Sequence, residues 1–272
     1  MTHATPHVPR KRFGQHFLHE RAVIDRILLA LDPRPGQRIV EIGPGEGALT
    51  WPLLARIGHL TAVEIDRDLV PRLRARATGI GELTIVEADA LTVDLTALAA
   101  GGTLRLVGNL PYNISTPLLF HMLEHSAVVE DMHFMLQKEV VDRMAAGPGS
   151  KVYGRLSVML QARCRVEPLF NVPPGAFRPP PKVDSAVVRL VPLAPGEVKA
   201  GDVGKYDREG RAAFAQRRKT LRFLSLQSVV KLAEQVGGSD RITAAGIDPG
   251  ARAEDVDVAG FLALADAFAG AR

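Results

Sequence analysis

The 272-residue sequence predicts an α/β protein in which a doubly wound, Rossmann-like sheet is followed by a smaller all-helical C-terminal domain. Three observations predict this fold. Short apolar strands alternate with amphipathic helices from about residue 38 to residue 136. A glycine-rich loop follows the first of these strands. After the Pro- and Gly-rich stretch 192–204, the pattern is helical only.

The first elements are a helix and then a βαβ unit. Apolar residues at helical spacing predict the helix from about Glu20 to Leu31. Predicted strands at 38–42 and 60–65 flank a helix at 48–57, which implies parallel strands and a right-handed crossover. The same alternation predicts helices near 68–77, 117–125 and 154–163 and strands at 83–86, 104–107, 132–136, 165–170 and 183–191. The last two of these strands are candidates for a closing hairpin.

This pattern predicts two domains. Residues 1–195 hold the sheet and an N-terminal extension, and residues 205–272 hold a helical C-terminal domain. The stretch between them is a linker. Helical apolar spacing recurs in the second domain at 211–224, 226–236 and 258–269.

Composition excludes several classes of protein. Hydrophobic residues make up 46% of the chain and charged residues 24%, which is typical of a folded globular protein. The sequence has no apolar run of the length that a secretory signal or a membrane span needs, so we expect a cytoplasmic protein without a membrane partner. Its single cysteine, Cys164, excludes an intramolecular disulfide and a cysteine-based metal site. A formal net charge of +4, with basic residues in patches, permits a nucleic-acid partner.

The loop that contains Gly43, Gly45 and Gly47 predicts a cofactor site. It lies where a strand turns into a helix, and glycines there let the backbone approach a ligand. Glu64 ends the next strand, where a carboxylate can accept both hydroxyls of an adenosine ribose. Asp89, after the third strand, either accepts a hydrogen bond from an adenine amine or caps a turn. These features fit a nicotinamide cofactor and S-adenosylmethionine equally well.

The tetrapeptide Asn109-Leu110-Pro111-Tyr112 decides between the two chemistries, because it follows the fourth strand beside the predicted cofactor cleft. An adenine amine is a poor nucleophile, and hydrogen bonds from its N–H groups to the Asn109 oxygen and the Leu110 carbonyl favour an available lone pair. Pro111 makes the turn rigid. Tyr112 offers a ring on which a base can stack. The tetrapeptide therefore indicates methylation of an adenine amine, on either DNA or RNA.

Longer motifs extend over nearly the whole chain. They are Arg12-Phe13-Gly14-Gln15-His16-Phe17-Leu18, the glycine loop, Asn109 to Asn113, Gln137-Lys138-Glu139-Val140 with Arg143, Phe177-Arg178-Pro179-Pro180-Pro181-Lys182-Val183-Asp184-Ser185, and Gln216-Arg217-Arg218-Lys219-Thr220-Leu221. With these motifs the chain closely resembles the ribosomal RNA adenine dimethyltransferases, in particular the bacterial small-subunit type.

The resemblance implies a Rossmann-like methyltransferase sheet and a specific reaction. The expected activity is dimethylation of two adjacent adenosines in a hairpin near the 3′ end of small-subunit (16S) ribosomal RNA. The expected donor is S-adenosylmethionine, and the expected substrate is a maturing 30S particle, which implies a role in ribosome biogenesis. The positions that hold the cofactor in this family match His16, Leu18, Gly43, Glu64, Asp89 and Asn109.

The resemblance also assigns residues to the RNA. Phe177 is expected on the face of the target adenine opposite Tyr112, which would form an aromatic clamp. From the sequence alone, Phe177 is equally well a packing anchor in a proline-rich loop. A run of basic residues is either an RNA contact or a solvated helix face. The candidate RNA-binding residues are Arg178, Lys182, Arg217, Arg218, Lys219 and Arg222.

Four other functions share part of this pattern. A DNA adenine methyltransferase would use the same tetrapeptide chemistry. A large-subunit ribosomal RNA methyltransferase shares the fold and much of the site, although Leu110 and the motifs around Phe177 and Arg217 favour the small-subunit type. A nicotinamide oxidoreductase shares the glycine loop and Glu64 but gives no reason for the tetrapeptide. A non-catalytic assembly factor is compatible with an enzyme that also grips the particle. We further expect a monomer and no metal ion.

Overall fold

The computed structural model describes residues 16–194, 197 and 238–269. The chain divides into two compact units. The first contains Met1–Val141 and Glu167–Pro192, and the second contains Asp142–Val166 and Leu193–Arg272. The helices predicted at 211–224 and 226–236 lie outside the described residues. In the described part of the chain, no helix is both long and apolar enough to cross a membrane.

The first unit is built on a seven-stranded sheet with the order β4-β3-β2-β5-β6-β9-β7. The strands of the protein are β1 (Phe17–Leu18), β2 (Ile39–Ile42), β3 (His59–Val63), β4 (Glu82–Val86), β5 (Leu104–Asn109), β6 (Val129–Gln137), β7 (Cys164–Val172), β8 (Phe177–Arg178) and β9 (Ser185–Pro192). The helices between them are α1 (Arg21–Leu31), α2 (Thr50–Ile57), α3 (Val70–Ala77), α4 (Leu95–Ala99), α5 (Ser115–Glu124), α6 (Lys138–Ala145) and α7 (Arg155–Gln161).

The doubly wound fold predicted from the sequence is confirmed. β2 pairs in parallel with β3 on one side and with β5 on the other, so the strand order reverses at β2. β3 pairs in parallel with β4, and β5 with β6, whereas β9 runs antiparallel to β6. Ligands of such sheets bind at the carboxyl ends of the strands beside this switch point. The glycine loop after β2 and Asn109 at the end of β5 therefore lie on the two sides of one crevice.

Helix α1 agrees closely with the helix predicted from about Glu20 to Leu31. Its five apolar residues at helical spacing are all buried, as the periodicity predicts. The helix ends at Asp32, which adopts a left-handed conformation with φ of 45° and donates its N–H to the carbonyl of Leu28. The two segments predicted as a closing hairpin, β7 and β9, are neighbours in the sheet.

Four elements differ from the predicted pattern. Helix α4 has five residues and lacks a full apolar period, and its N-terminus depends on Asp94, which accepts hydrogen bonds from the N–H groups of Thr96 and Ala97. Helix α6 was not predicted as a helix, and its residues were noted only as part of the motif Gln137-Lys138-Glu139-Val140 with Arg143. Strands β1 and β8 have two residues each and form a separate antiparallel pair, Phe17 with Arg178 and Leu18 with Phe177. Because the two strands lie about 160 residues apart in the chain, their pairing produces no local periodicity in the sequence.

The second unit contains helix α7 together with α8 (Gly238–Ala244) and α9 (Val258–Ala269), and α9 agrees with the predicted helix at 258–269. Tyr153, which is fully buried, donates its hydroxyl to the Val256 carbonyl at 2.9 Å. The N–H of Gly149 donates to the Glu254 carbonyl at 2.8 Å. Because of these contacts, residues 142–166 group with the C-terminal helices, whereas the predicted boundary placed them in the first domain.

Candidate active site

A cavity of about 280 Å³ opens at the carboxyl ends of β2, β3, β4 and β5. Among its lining residues are all of those predicted to bind the cofactor: His16, Leu18, Gly43, Gly45, Glu64, Asp89 and Asn109. Leu110 and Pro111 also line it. Residues from the N-terminal segment, the glycine loop and three strand ends are thus brought together by the sheet, and all of them belong to the first unit.

The glycine loop is shaped by left-handed backbone and by one tryptophan. Gly43, Gly45 and Gly47 have φ values of 67°, 56° and 87°. The indole ring of Trp51 lies directly on Gly47, since a Cβ placed there would be 2.3 Å from the ring. The Trp51 indole N–H also donates to the Glu46 carbonyl at 3.3 Å. Trp51 therefore supports the loop at both Glu46 and Gly47.

Glu64 closes the other side of the loop. It is buried, and its carboxylate accepts hydrogen bonds from the N–H of Asp66 at 2.8 Å and the N–H of Gly45 at 3.3 Å. Burial raises the pKa of this carboxyl, while the two backbone hydrogen bonds oppose the rise. A carboxylate has further lone-pair sites, so Glu64 can accept the ribose hydroxyls predicted for it.

Two further cavity residues were missed in the sequence. Ile65 is apolar yet 48% exposed, and it lies beside Glu64 on the cavity wall, where it suits the flat face of an adenine. Glu41 is 2% exposed within β2 and accepts a hydrogen bond from the Thr50 hydroxyl at 2.6 Å. Burial raises its pKa to about 7. A carboxylate within an apolar strand was the available signal for Glu41.

Asp89 caps a turn, one of the two roles that its sequence position allowed, and its place is compatible with the other. Its carboxylate accepts the N–H of Leu91 at 2.9 Å, so it caps the turn after β4. It also lines the cavity. Since one carboxylate oxygen has further acceptor capacity, the turn and a ligand contact are compatible.

Asn109 is the last residue of β5, two residues beyond the predicted end of that strand. Its side-chain N–H donates to the backbone carbonyl of His16 at 2.8 Å. A carbonyl can only accept, so the amide nitrogen faces His16 and the amide oxygen remains for another donor. The N–H of the following residue, Leu110, donates to the Met135 carbonyl at 3.1 Å, which holds the start of the tetrapeptide against β6.

Tyr112 is held at its hydroxyl and beside its ring. The hydroxyl lies 2.6 Å from the hydroxyl of Ser185, and the ring stacks on that of His16 with centroids 5.6 Å apart at 28°. Burial raises the pKa of the Tyr112 phenol, and the bond to Ser185 opposes that rise. The His16 ring in turn donates from Nδ1 to the Pro179 carbonyl at 2.7 Å, because that carbonyl can only accept. His16 therefore contributes its ring to Tyr112 and its backbone to Asn109.

Phe177 lies in the hydrophobic core, in agreement with its interpretation as a packing anchor. It is 1% exposed, pairs with Leu18 through the β1–β8 ladder and belongs to the core cluster with Val172 and Val187. A ring so enclosed offers no face to a base, so this arrangement lacks the expected clamp. The physical reason is the short β1 strand, which covers the segment that the sequence indicated as a loop.

The candidate RNA-binding residues fall into two groups. Arg178, the last residue of β8, and Lys182, on the segment that leads from β8 to β9, are both exposed. This segment adjoins Tyr112, because Pro179 contacts His16 and Ser185 contacts Tyr112. The other four, Arg217, Arg218, Lys219 and Arg222, lie outside the described residues.

The sequence as a whole matches the family described as Ribosomal RNA adenine dimethylase, over residues 7–269. The chain belongs to the ribosomal RNA adenine dimethylase family. The predicted resemblance is thereby confirmed. Membership in this family removes the nicotinamide oxidoreductase alternative, which the glycine loop alone had left open.

Individual relatives are similar over nearly their full lengths. A protein of Xanthomonas oryzae pv. oryzae named Ribosomal RNA small subunit methyltransferase A is 61% identical over 257 residues, which cover 94% of this chain and 95% of the relative. Its namesake in Xanthomonas campestris pv. campestris is 60% identical over the same shares.

The fold of this chain is similar to that of two solved structures. A dimethyladenosine transferase from Plasmodium falciparum has a TM-score of 0.79 at 27% identity, covering 92% of this chain and 96% of that one. The 23S rRNA methyltransferase ErmE has a TM-score of 0.69, also at 27% identity, covering 93% and 99%.

Proposed function

We propose that the protein transfers methyl groups from S-adenosylmethionine to the N6 amines of two adjacent adenosines near the 3′ end of small-subunit (16S) ribosomal RNA. One observation carries the proposal. Asn109 lines the cavity of about 280 Å³, with its amide oriented by the His16 carbonyl so that its oxygen is available to accept a hydrogen bond. The names of the 60–61% identical relatives support the choice of RNA substrate.

The cavity residues fit S-adenosylmethionine. Glu64 would accept the ribose hydroxyls, Ile65 would cover the adenine, and Asp89 would accept its amine, while the left-handed glycine loop brings backbone close to the ligand. When bound, S-adenosylmethionine supplies a methyl group on a positively charged sulfonium. Glu41 and Glu64 place acidic groups on the wall of a cavity that would hold this cation.

The chain's own residues bind and orient the target amine. Its two N–H groups donate to the Asn109 amide oxygen and the Leu110 carbonyl, which directs the nitrogen lone pair toward the cavity. Pro111 holds that turn rigid, and Tyr112 stacks on the splayed base for a contribution of about 1–3 kcal/mol. Phe177 would join as a second stacking face only through a movement of β1 and β8.

We propose a maturing 30S particle as the substrate, and a cytoplasmic monomer that contributes to ribosome biogenesis as the working form. The exposed cations Arg178 and Lys182 lie in the stretch of chain between Phe177 and Ser185, whose Pro179 contacts His16 and whose Ser185 contacts Tyr112. They suit the phosphates that flank a splayed adenosine, so we expect RNA binding to weaken as the salt concentration rises. The C-terminal domain predicted at residues 205–272 would add RNA contacts of its own through Arg217, Arg218, Lys219 and Arg222. A large-subunit substrate is the second candidate, because ErmE shares the fold.

One assay tests the proposal. Purified protein and radiolabelled S-adenosylmethionine are incubated with unmethylated small subunits, large subunits, naked ribosomal RNA and DNA, and the modified nucleotides are mapped by mass spectrometry. We expect dimethyladenosine at two adjacent positions of small-subunit RNA, most efficiently in the particle. Label only in large-subunit RNA or only in DNA would refute the proposed substrate. The Asn109→Ala variant serves as the inactive control.

A further inference from the structure

Ser185 has no role in the reaction described so far, yet it contacts a residue that does. It is the first residue of β9, it is fully buried, and its hydroxyl oxygen lies 2.6 Å from that of Tyr112, 73 residues earlier in the chain. Its backbone is held in place, because Ser185 pairs with Gln137 in the β6–β9 ladder and the backbone carbonyl of the preceding Asp184 accepts the N–H of Lys138 at 2.9 Å.

The Tyr112 ring is restrained from two directions. Ser185 holds the hydroxyl at the far end of the ring, and His16 covers one face. His16 is itself held by Pro179 and by Asn109. A tyrosine with a free hydroxyl can rotate about both side-chain torsions, whereas a hydrogen bond at the end of the ring restricts both. Stacking alone needs only a ring, so the hydrogen bond between the two hydroxyls adds a restraint that stacking does not require.

We infer that Ser185 is a positioning residue: its hydroxyl fixes the ring plane of Tyr112, so that the face turned away from His16 is presented to the target adenine. This inference rests on the proposed function, because it assigns a direction of approach to the same base. The adenine would stack on the open face of Tyr112 while its amine reaches Asn109. Preorganisation of this kind aligns the reacting nitrogen before the methyl transfer.

Four variants test the inference: Ser185→Ala, Ser185→Thr, Tyr112→Phe and the double variant Ser185→Ala with Tyr112→Phe. Initial rates of methylation of unmethylated small subunits give kcat and KM. Ser185→Ala and Tyr112→Phe should each lower kcat about five- to thirtyfold, the effect of losing one buried hydrogen bond, with a smaller change in KM. Ser185→Thr keeps the hydroxyl and should stay within about threefold of wild type.

The double variant separates a shared hydrogen bond from two independent effects. If the bond is what matters, the double variant is no slower than either single variant. Affinity for S-adenosylhomocysteine, measured by calorimetry, should be unchanged in all four, because neither residue lines the cofactor cavity. Wild-type rates in Ser185→Ala, or losses that multiply fully in the double variant, would overturn the inference.

A second readout needs no substrate. The chain has three tyrosines, so protein labelled with 3-fluorotyrosine should give three ¹⁹F resonances, with that of Tyr112 identified by its loss in Tyr112→Phe. Ser185→Ala should shift and broaden this resonance, and Ser185→Thr should not. An unchanged resonance in Ser185→Ala means the ring is not held by Ser185. Failure of wild type to methylate small subunits would instead refute the proposed substrate, with the ring measurement unaffected.

Discussion

The side-chain N–H of Asn109 donates a hydrogen bond of 2.8 Å to the backbone carbonyl of His16. This bond turns the amide nitrogen of Asn109 toward His16 and leaves its oxygen for another donor. It also joins the N-terminal segment to the end of β5, so that residues from both parts of the cavity wall are held together.

The first prediction concerns this bond. Asn109→Asp is nearly isosteric, but it replaces the donor with a second oxygen that the His16 carbonyl repels. We expect methylation of small subunits to fall by about 10²–10³ in kcat. The control is Asn171→Asp, which makes the same change at an exposed position on β7. Activity of Asn109→Asp within threefold of that control would contradict the assigned orientation.

The second prediction concerns Phe177, whose side chain is buried with Leu18 and Val187. Phe177→Ala should lower the free energy of unfolding by about 3–5 kcal/mol, as expected for loss of a core aromatic ring, measured by urea denaturation. An unchanged stability would show that the ring is not part of the core. Phe177→Leu keeps most of the volume and tests the clamp separately: lost methylation at retained stability would require β1 and β8 to move during substrate binding.

The third prediction compares two glycines with the same backbone conformation. Gly36 and Gly47 both have φ of 87°, but only Gly47 contacts the Trp51 ring. Gly36→Ala should cost about 1–2 kcal/mol of stability from backbone strain and leave cofactor affinity unchanged. Gly47→Ala should also displace Trp51 and weaken S-adenosylhomocysteine binding at least about tenfold by calorimetry. Equal affinities in the two variants would mean that Trp51 does not support the loop.

The fourth prediction concerns the buried carboxyl of Glu41. Burial raises its pKa from 4.5 to about 7, so between these values the folded protein holds a proton that the unfolded chain releases. Its contribution to stability is therefore present below about pH 4.5 and is lost as the pH rises toward 7. Glu41→Gln cannot ionise, so its stability relative to wild type should increase over this range, by roughly 3 kcal/mol in total.

Urea denaturation of both proteins at pH 5 and pH 8 measures this difference. Glu46→Gln, which changes an exposed carboxylate in the glycine loop that follows β2, is the matched control. A stability difference between Glu41→Gln and wild type that is the same at both pH values would contradict a raised pKa.

The fold and most of the cofactor site were predictable because their signals are local. The apolar period of α1, the alternation of strands and helices, and the glycine loop each depend on neighbouring residues. Parallel strands then bring their carboxyl ends to one edge, so Gly43, Glu64 and Asp89 were predictable as neighbours once the strands were known. Ile65 was missed because an isoleucine at the end of a predicted strand looks like a core residue.

The sequence by itself determined the doubly wound sheet, the chemistry of the tetrapeptide and the family. Only the tertiary structure decided how the rings of Tyr112 and Phe177 are packed. Tyr112 is held by Ser185 and His16, and Phe177 is enclosed by the β1–β8 pair. Both outcomes depend on contacts between residues that are far apart in the chain. Such contacts follow from how the strands pack, and no local pattern of residues encodes them.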